Sequence, residues 1–104
     1  MTNISLNKIK SYLGIAARAK YVIWGADNLK GYNHKLYLVL YREDASKTIL
    51  KVVDEFKHLL PTYMLQLEDF NYVTNLDNCK LLAIKNKGLA EQIIKYLRSE
   101  SISG

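Results

Sequence analysis

Lys85-Asn86-Lys87-Gly88 is where the chain concentrates the means to hold an anion. Two lysines, an amide and a glycine stand between an apolar run and an amphipathic one. At a strand-to-helix turn, such residues put positive charge beside the free N–H groups of a helix start. That combination suits a phosphate oxygen. Read alone, the same four residues also fit an ordinary surface turn with a glycine for geometry. Other cations stand beside expected loops: Arg18 and Lys20 after the first helix, Lys30 in a short helical segment, and Lys35 before the central strand. For Arg18 and Lys20 there is a purely structural role, because cations in a last helical turn complement the carbonyl end of the dipole.

Catalytic chemistry finds little to work with. The chain has no glycine-rich phosphate loop and no nucleophile elbow. His34 and His58 are its two histidines. His34 has no further ligand-type residues around it and reads as a solvated loop residue. Cys79 opens an apolar strand and reads as a small packing residue. Asp54-Glu55 and Glu68-Asp69 are adjacent pairs; sequence neighbours point apart on a helix, so they make poor acid–base couples. The expectation is a protein with no catalytic site, no metal and no cofactor.

The elements that position the basic turns are built around Lys35–Phe56. Leu36 to Tyr41 is apolar throughout, as in a strand covered on both faces. A polar turn follows, in which Asp44 or Ser46 can accept from free amides at a helix start. Ile49, Val52, Val53, Phe56, Leu59 and Leu60 then recur at helical spacing, with the helix ending near His58. Upstream, Ser5–Ala19 forms a helix with Leu6, Ile9, Leu13 and Ala16 on one face. Gly14 within it suggests close approach of another backbone, or a hole for a large side chain. Tyr21–Trp24 is a short strand ended by Gly25, and Ala26–Gly31 about one helical turn. Downstream, Pro61 breaks the chain and Thr62–Leu65 is a third strand. Leu67–Tyr72 is a short helix or turn, and Cys79–Ile84 a fourth strand. The last helix has Leu89, Ala90, Ile93, Ile94 and Leu97 inward and Glu91, Gln92, Lys95 and Arg98 outward, with Asn86 as a cap candidate. Residues 99–104 are expected to fray. Strands alternating with helices predict an α/β fold, a small three-layer α-β-α sandwich.

A chain of 104 residues is one domain, long enough for a core without disulfides. The single cysteine, the absence of a charged-then-apolar signal segment after Met1, and the lack of an apolar run near the ~20 residues of a membrane span predict a cytoplasmic protein. Lys and Arg exceed Asp and Glu by 15 to 10, giving +5 and a pI near 9.3. Such a balance serves solubility, or marks a polyanion partner such as nucleic acid.

Three motifs, in order, carry a resemblance. Leu13-Gly14-Ile15-Ala16-Ala17-Arg18-Ala19, followed by Gly25, resembles the opening of the small kink-turn RNA-binding proteins of the ribosomal L-seven-Ae and L-thirty-e type. Glu43-Asp44-Ala45-Ser46 is similar to that family's strand-to-helix turn. Ala83-Ile84-Lys85-Asn86-Lys87-Gly88-Leu89-Ala90 resembles the closing motif of its bacterial YlxQ-like branch. The resemblance spans Leu6 to Leu97. It implies a mixed four-stranded sheet between helices and non-catalytic binding of structured RNA, such as ribosomal RNA or another kink-turn RNA. By position it assigns RNA contacts to Gly25, Ala26, Asp27, Asn28 and Lys30, and to Ile84, Lys85, Asn86, Lys87 and Gly88. The chain departs from the family in lacking the Asn-Glu pair after Gly25 and in having Lys20-Tyr21 for the usual Gly-Lys.

Two functions follow. One is a ribosome- or translation-associated RNA-binding protein that reads RNA shape through basic loops. The other is a protein-interaction module on the same fold, self-associating into a homo-oligomer through its eight tyrosines and Trp24. The first requires the turn at Gly25 and the turn at Asn86 to lie side by side as one cationic rim.

Overall fold

The computed structural model describes residues 1–102, with side chains for residues 1–99. In chain order the elements are α1 (Asn3–Arg18), β1 (Val22–Trp24), α2 (Ala26–Leu29), β2 (Leu38–Arg42), α3 (Lys47–Lys57), β3 (Thr62–Leu65), α4 (Leu67–Thr74), β4 (Leu81–Ile84) and α5 (Lys87–Ile102). The strands form one mixed sheet in the order β1-β4-β2-β3. β4 runs antiparallel to both β1 and β2, while β2 and β3 are parallel.

The continuous apolar runs of β2 and β4 have the cause expected of them: both faces of the sheet are covered. Leu38 and Leu40 of β2, with Leu82 and Ile84 of β4, pack under α1, α4 and α5, where Ile9, Leu13, Phe70 and Ile93 are fully buried. Val39, Leu81 and Ala83 face the other way, against Leu29 of α2 and Val52 and Val53 of α3. Successive strand residues thus feed alternate cores, giving the three-layer α-β-α sandwich.

Helix ends are set by local chemistry. The Thr2 hydroxyl accepts from the Ser5 N–H at 3.2 Å. Ser46 does the same for Ile49 at 3.3 Å, so of the two cap candidates before α3 it is Ser46 that caps. Asp44 instead receives Arg42, the last residue of β2 and 4% exposed. Glu43 accepts the Leu67 N–H at 2.6 Å and so starts α4. Each polar residue of the Glu43-Asp44-Ala45-Ser46 motif therefore has a separate structural duty.

Several expectations are corrected. β2 begins at Leu38 and includes Arg42; β4 begins at Leu81; α4 is a full helix to Thr74. α3 stops at Lys57, which leaves Leu59 outside the helical face and 77% exposed. No backbone or large side chain crowds Gly14. A Cβ there would meet only the Arg18 guanidinium at 3.4 Å. α5 runs to Ile102, and the remainder of the expected tail, 103–104, lies outside the described residues.

Candidate nucleic-acid interface

The register of β1 and β4 decides which candidate residues meet. Trp24 pairs with Leu82 and Val22 with Ile84. The Gly25 N–H donates to the Leu81 carbonyl at 2.8 Å, at the start of β4, whereas Lys85 N–H donates to Tyr21 at 2.7 Å, past its end. The Gly25 turn and the Lys85–Gly88 turn thus lie at opposite ends of β4, about 13 Å apart along the strand. They do not form one rim, so the condition set for RNA binding across both turns fails, and the contacts that the resemblance assigned to Gly25, Ala26, Asp27, Asn28 and Lys30 are not joined to those of the Lys85 turn. The cause is strand direction: β4 returns antiparallel to β1, so its exit lies beside β1's entrance.

What the structure does gather is a different set. Tyr37 N–H donates to the Ile84 carbonyl at 3.0 Å, from the opposite side of β4 to the Tyr21 bond. Two backbone bonds therefore tie three turns together: Arg18–Tyr21 leaving α1, Lys35–Tyr37 entering β2, and Lys85–Gly88 leaving β4. Arg18, Lys20, Lys35, Lys85 and Lys87 are all exposed there. Lys35 Nζ stands 5.7 Å from the centre of the Tyr37 ring. Lys87, Lys95 and Arg98, spaced along one stripe of α5, line a groove with Lys35, and Glu91 is the carboxylate among its described lining residues. Lys95 and Arg98 were legible in the sequence only as outward residues; the successive steps of four, four and three from Lys87 through Glu91 and Lys95 to Arg98 were the clue to a shared stripe.

Within this end the roles divide. Ile84 is fully buried in the α1/α4/α5 core, so its side chain is unavailable to a ligand. The Asn86 side chain accepts from Leu89 N–H at 2.9 Å, capping α5 and occupying one of the donors that a phosphate would use. Gly88 is exposed and helical, and a Cβ would meet nothing nearer than 3.5 Å. The cations, not the helix end, are what this turn offers.

Lys20 has a backbone signature of its own. After α1, Tyr21 N–H donates to Ala16 and Lys20 N–H to Ala17, at 2.8 and 3.1 Å. This is the glycine-type helix stop, with the left-handed residue at φ 64° being lysine. Such a conformation costs about 1 kcal/mol or more for a residue with a Cβ. Lys20→Gly is expected to raise the thermal midpoint by several degrees and, if these cations hold RNA phosphates, to weaken binding to RNA about threefold to tenfold. Calorimetry and a binding titration on the same variant check both signs.

At the opposite end, Gly25 has φ 86°, in the region that favours glycine, and nothing within 4 Å of a Cβ; its role is the turn itself. Ala26 is half-buried against α3's core, and Asp27 is exposed. The Asn28 amide is spent on the Trp24 carbonyl at 2.7 Å. Lys30 closes α2, exposed, and belongs to none of the three gathered turns. This end also carries Glu43, Asp44 and Asp77. Arg42 sends Nε and Nη2 to Asp44 at 2.6 and 3.1 Å, and Nη1 to Asn71 and to the Asp77 carbonyl at 2.7 and 3.0 Å. Lys80 Nζ lies 3.5 Å from Asp44. The Asp44 carboxylate thus engages both Arg42 and Lys80 at this end.

A smaller hollow of about 500 Å³ beside Gly25 is lined by Trp24, Ile49, Leu76, Cys79 and Lys80. Burial pushes the Cys79 thiol above its ordinary value, so it stays protonated at neutral pH and is a weak nucleophile. Among the described residues, no three His, Cys, Asp or Glu side chains come together to hold a metal, and no helix is long and apolar enough to cross a membrane.

No family model matches the chain, and no curated protein matches it. Among solved structures, one described as a protein with unknown function from Bacillus halodurans C is similar over 88% of this chain and 97% of its own, with a TM-score of 0.70 and 20% identity. That likeness shows a shared fold.

Proposed function

We propose that the chain is a non-catalytic, cytoplasmic RNA-binding protein with a ribosome- or translation-associated role, holding structured RNA by its phosphates at the Lys85 end of the sheet. The observation that carries the reading is the pair of backbone bonds, Lys85 to Tyr21 and Tyr37 to Ile84, that clusters the cations of three separate turns. The motif resemblance to the kink-turn family supports RNA as the polyanion. The position of the cations supports backbone contact over reading of base edges, since lysine phosphate contacts position without specifying sequence.

The competing reading, self-association through aromatic residues, has less to draw on. Trp24 is half-buried against the α1/α4/α5 core and Tyr12 stacks on Tyr96, while Tyr21 and Tyr72 remain exposed, Tyr72 with Lys10 Nζ 4.3 Å from its ring centre.

A structured RNA titrated at 50 and 200 mM salt tests the proposal. Engagement of about five phosphates predicts a log–log slope of affinity against salt of roughly −4. Binding that is absent, or indifferent to salt, together with a molecular mass that rises with protein concentration, would move the assignment to the self-associating module.

A further inference from the structure

A groove of about 900 Å³ runs between α5 and the α3–β3 turn. Its floor is aliphatic: Leu36, Leu60, Pro61 and Ile94, with Leu59 at the edge and 77% exposed. Tyr37 also lines it, half-buried against the α1/α4/α5 core with Lys35 Nζ 5.7 Å from its ring centre, so the surface left for contact is aliphatic. The rim carries Lys35, Lys87, Lys95 and Arg98 against Glu91. All four cations are exposed, and among the described residues none of them stands within ion-pairing distance of a carboxylate. The fold thus leaves a strip of aliphatic surface beside a strip of unneutralised positive charge. Exposed apolar surface with a polar rim marks an interaction site, and the charge on the rim selects a partner of opposite sign.

The α5 stripe decides the form of that partner. Lys87, Glu91, Lys95 and Arg98 follow one another at steps of four, four and three, and so span about 16 Å of helix axis. That length matches three turns of a second helix laid alongside. Leucines recurring every three or four residues would form its inner face, and carboxylates beside them would meet the rim. We propose that this groove docks an acidic amphipathic helix of a partner protein, its leucines on the Leu59–Pro61 and Ile94 floor and its carboxylates against Lys95, Arg98, Lys87 and Lys35. Glu91, in the middle of the stripe, opposes such a helix and sets a limit on its affinity. Two other occupants fit less well. Nucleic acid supplies the charge, but its flat bases seek aromatic partners that an aliphatic floor does not give. A second copy of this chain carries +5 and brings like charge to a basic rim. Leu59, Lys95 and Arg98 belong to none of the three gathered turns, so the helix site stands apart from the RNA reading.

A fluorescent peptide of about fifteen residues, long enough to form a helix, tests this, with leucine at helical spacing and glutamate elsewhere. A second peptide carries serine in place of each leucine. Leu59→Ser is expected to weaken the leucine peptide by about fivefold. Lys95→Glu with Arg98→Glu weakens it by about tenfold or more at low salt, and Glu91→Gln tightens it by about twofold. All four positions are exposed, and the thermal midpoint of each variant checks its fold. Affinity for a structured RNA is unchanged by Leu59→Ser. No binding of the leucine peptide to wild type at millimolar concentration overturns the proposal, as does equal binding of the serine peptide, which would reduce the attraction to charge alone. A Leu59→Ser loss seen on single-stranded RNA and not on the peptide would give the groove to nucleic acid. A molecular mass that rises with concentration and reverts in Leu59→Ser would give it to a second copy. If structured RNA fails to bind while the peptide results hold, the RNA reading falls and the helix site stands; the reverse result removes the helix site alone.

Discussion

Exchanging Lys35 and Lys85 together for glutamate is expected, on the proposed function, to lower affinity for a structured RNA by roughly a hundredfold at 0.1 M salt. Each change removes a cation and adds a repelling charge; Lys85 directly follows Ile84, and Lys35 stands two residues before Tyr37, whose N–H donates to the Ile84 carbonyl. Neither should disturb folding, because both side chains are exposed and the turns are held by backbone bonds. The salt dependence changes in parallel: the slope becomes shallower by about two for the double variant. Asp27→Asn at the far end serves as the contrast. It removes a carboxylate beside Gly25 and leaves affinity within about twofold. A reversed ranking, with Asp27→Asn strengthening binding and the lysine changes silent, would put the RNA at the Gly25 end.

The largest effect on stability is expected at Arg42. Its guanidinium is almost fully enclosed and joins the end of β2 to Asp44, to Asn71 in α4 and to the Asp77 carbonyl in the loop before β4. Arg42→Met keeps much of the apolar stem and removes every one of those bonds. Hydrogen bonds to charged groups contribute about 1.5–3 kcal/mol, and unpaired partly buried acceptors add to the loss. A fall in thermal midpoint of roughly 10–20 °C follows for a domain of this size. On the proposed function, RNA affinity of the folded fraction is expected to stay unchanged, since Arg42 belongs to the opposite end. The same cluster sets an acid limit. Hydrogen bonds from Arg42 hold the Asp44 carboxyl below its ordinary value of 3.8, aided by charge attraction from Arg42 and Lys80 and opposed by burial. A depressed folded-state pKa contributes stability that is fully present above the unfolded value and is lost as pH falls through the folded one. Wild type therefore loses this contribution below about pH 4, and Asp44→Asn makes the midpoint less dependent on pH in that window. A mutant profile as steep as wild type would assign the acid limit to other carboxylates.

The fold was largely legible because periodicity reports burial directly. Leu36–Tyr41 could only be apolar throughout if helices covered both faces, and they do. The site was legible only in part. Lys20, Lys35, Lys85 and Lys87 were named from the sequence and share one end. Their supposed partners at Gly25 do not, because strand direction is a long-range fact that no local pattern encodes. Arg42 was missed for a related reason: a charged residue closing an apolar run reads as the start of a loop, and only Asn71 and Asp77, distant in sequence, make its burial tolerable. Asp44 was one of two cap candidates until Arg42 claimed it. Lys95 and Arg98 looked like an ordinary wet helix face until the α3–β3 turn came to rest opposite them.

Backbone amide shifts during titration with a structured RNA follow this placement most directly. Perturbations centred on Tyr21, Lys35, Tyr37, Lys85 and Lys87, with Gly25–Asn28 and Lys80 unmoved, are the predicted outcome. Shifts confined to Gly25–Asn28 and Asn78–Leu81, or none at a saturating concentration of RNA, would contradict it.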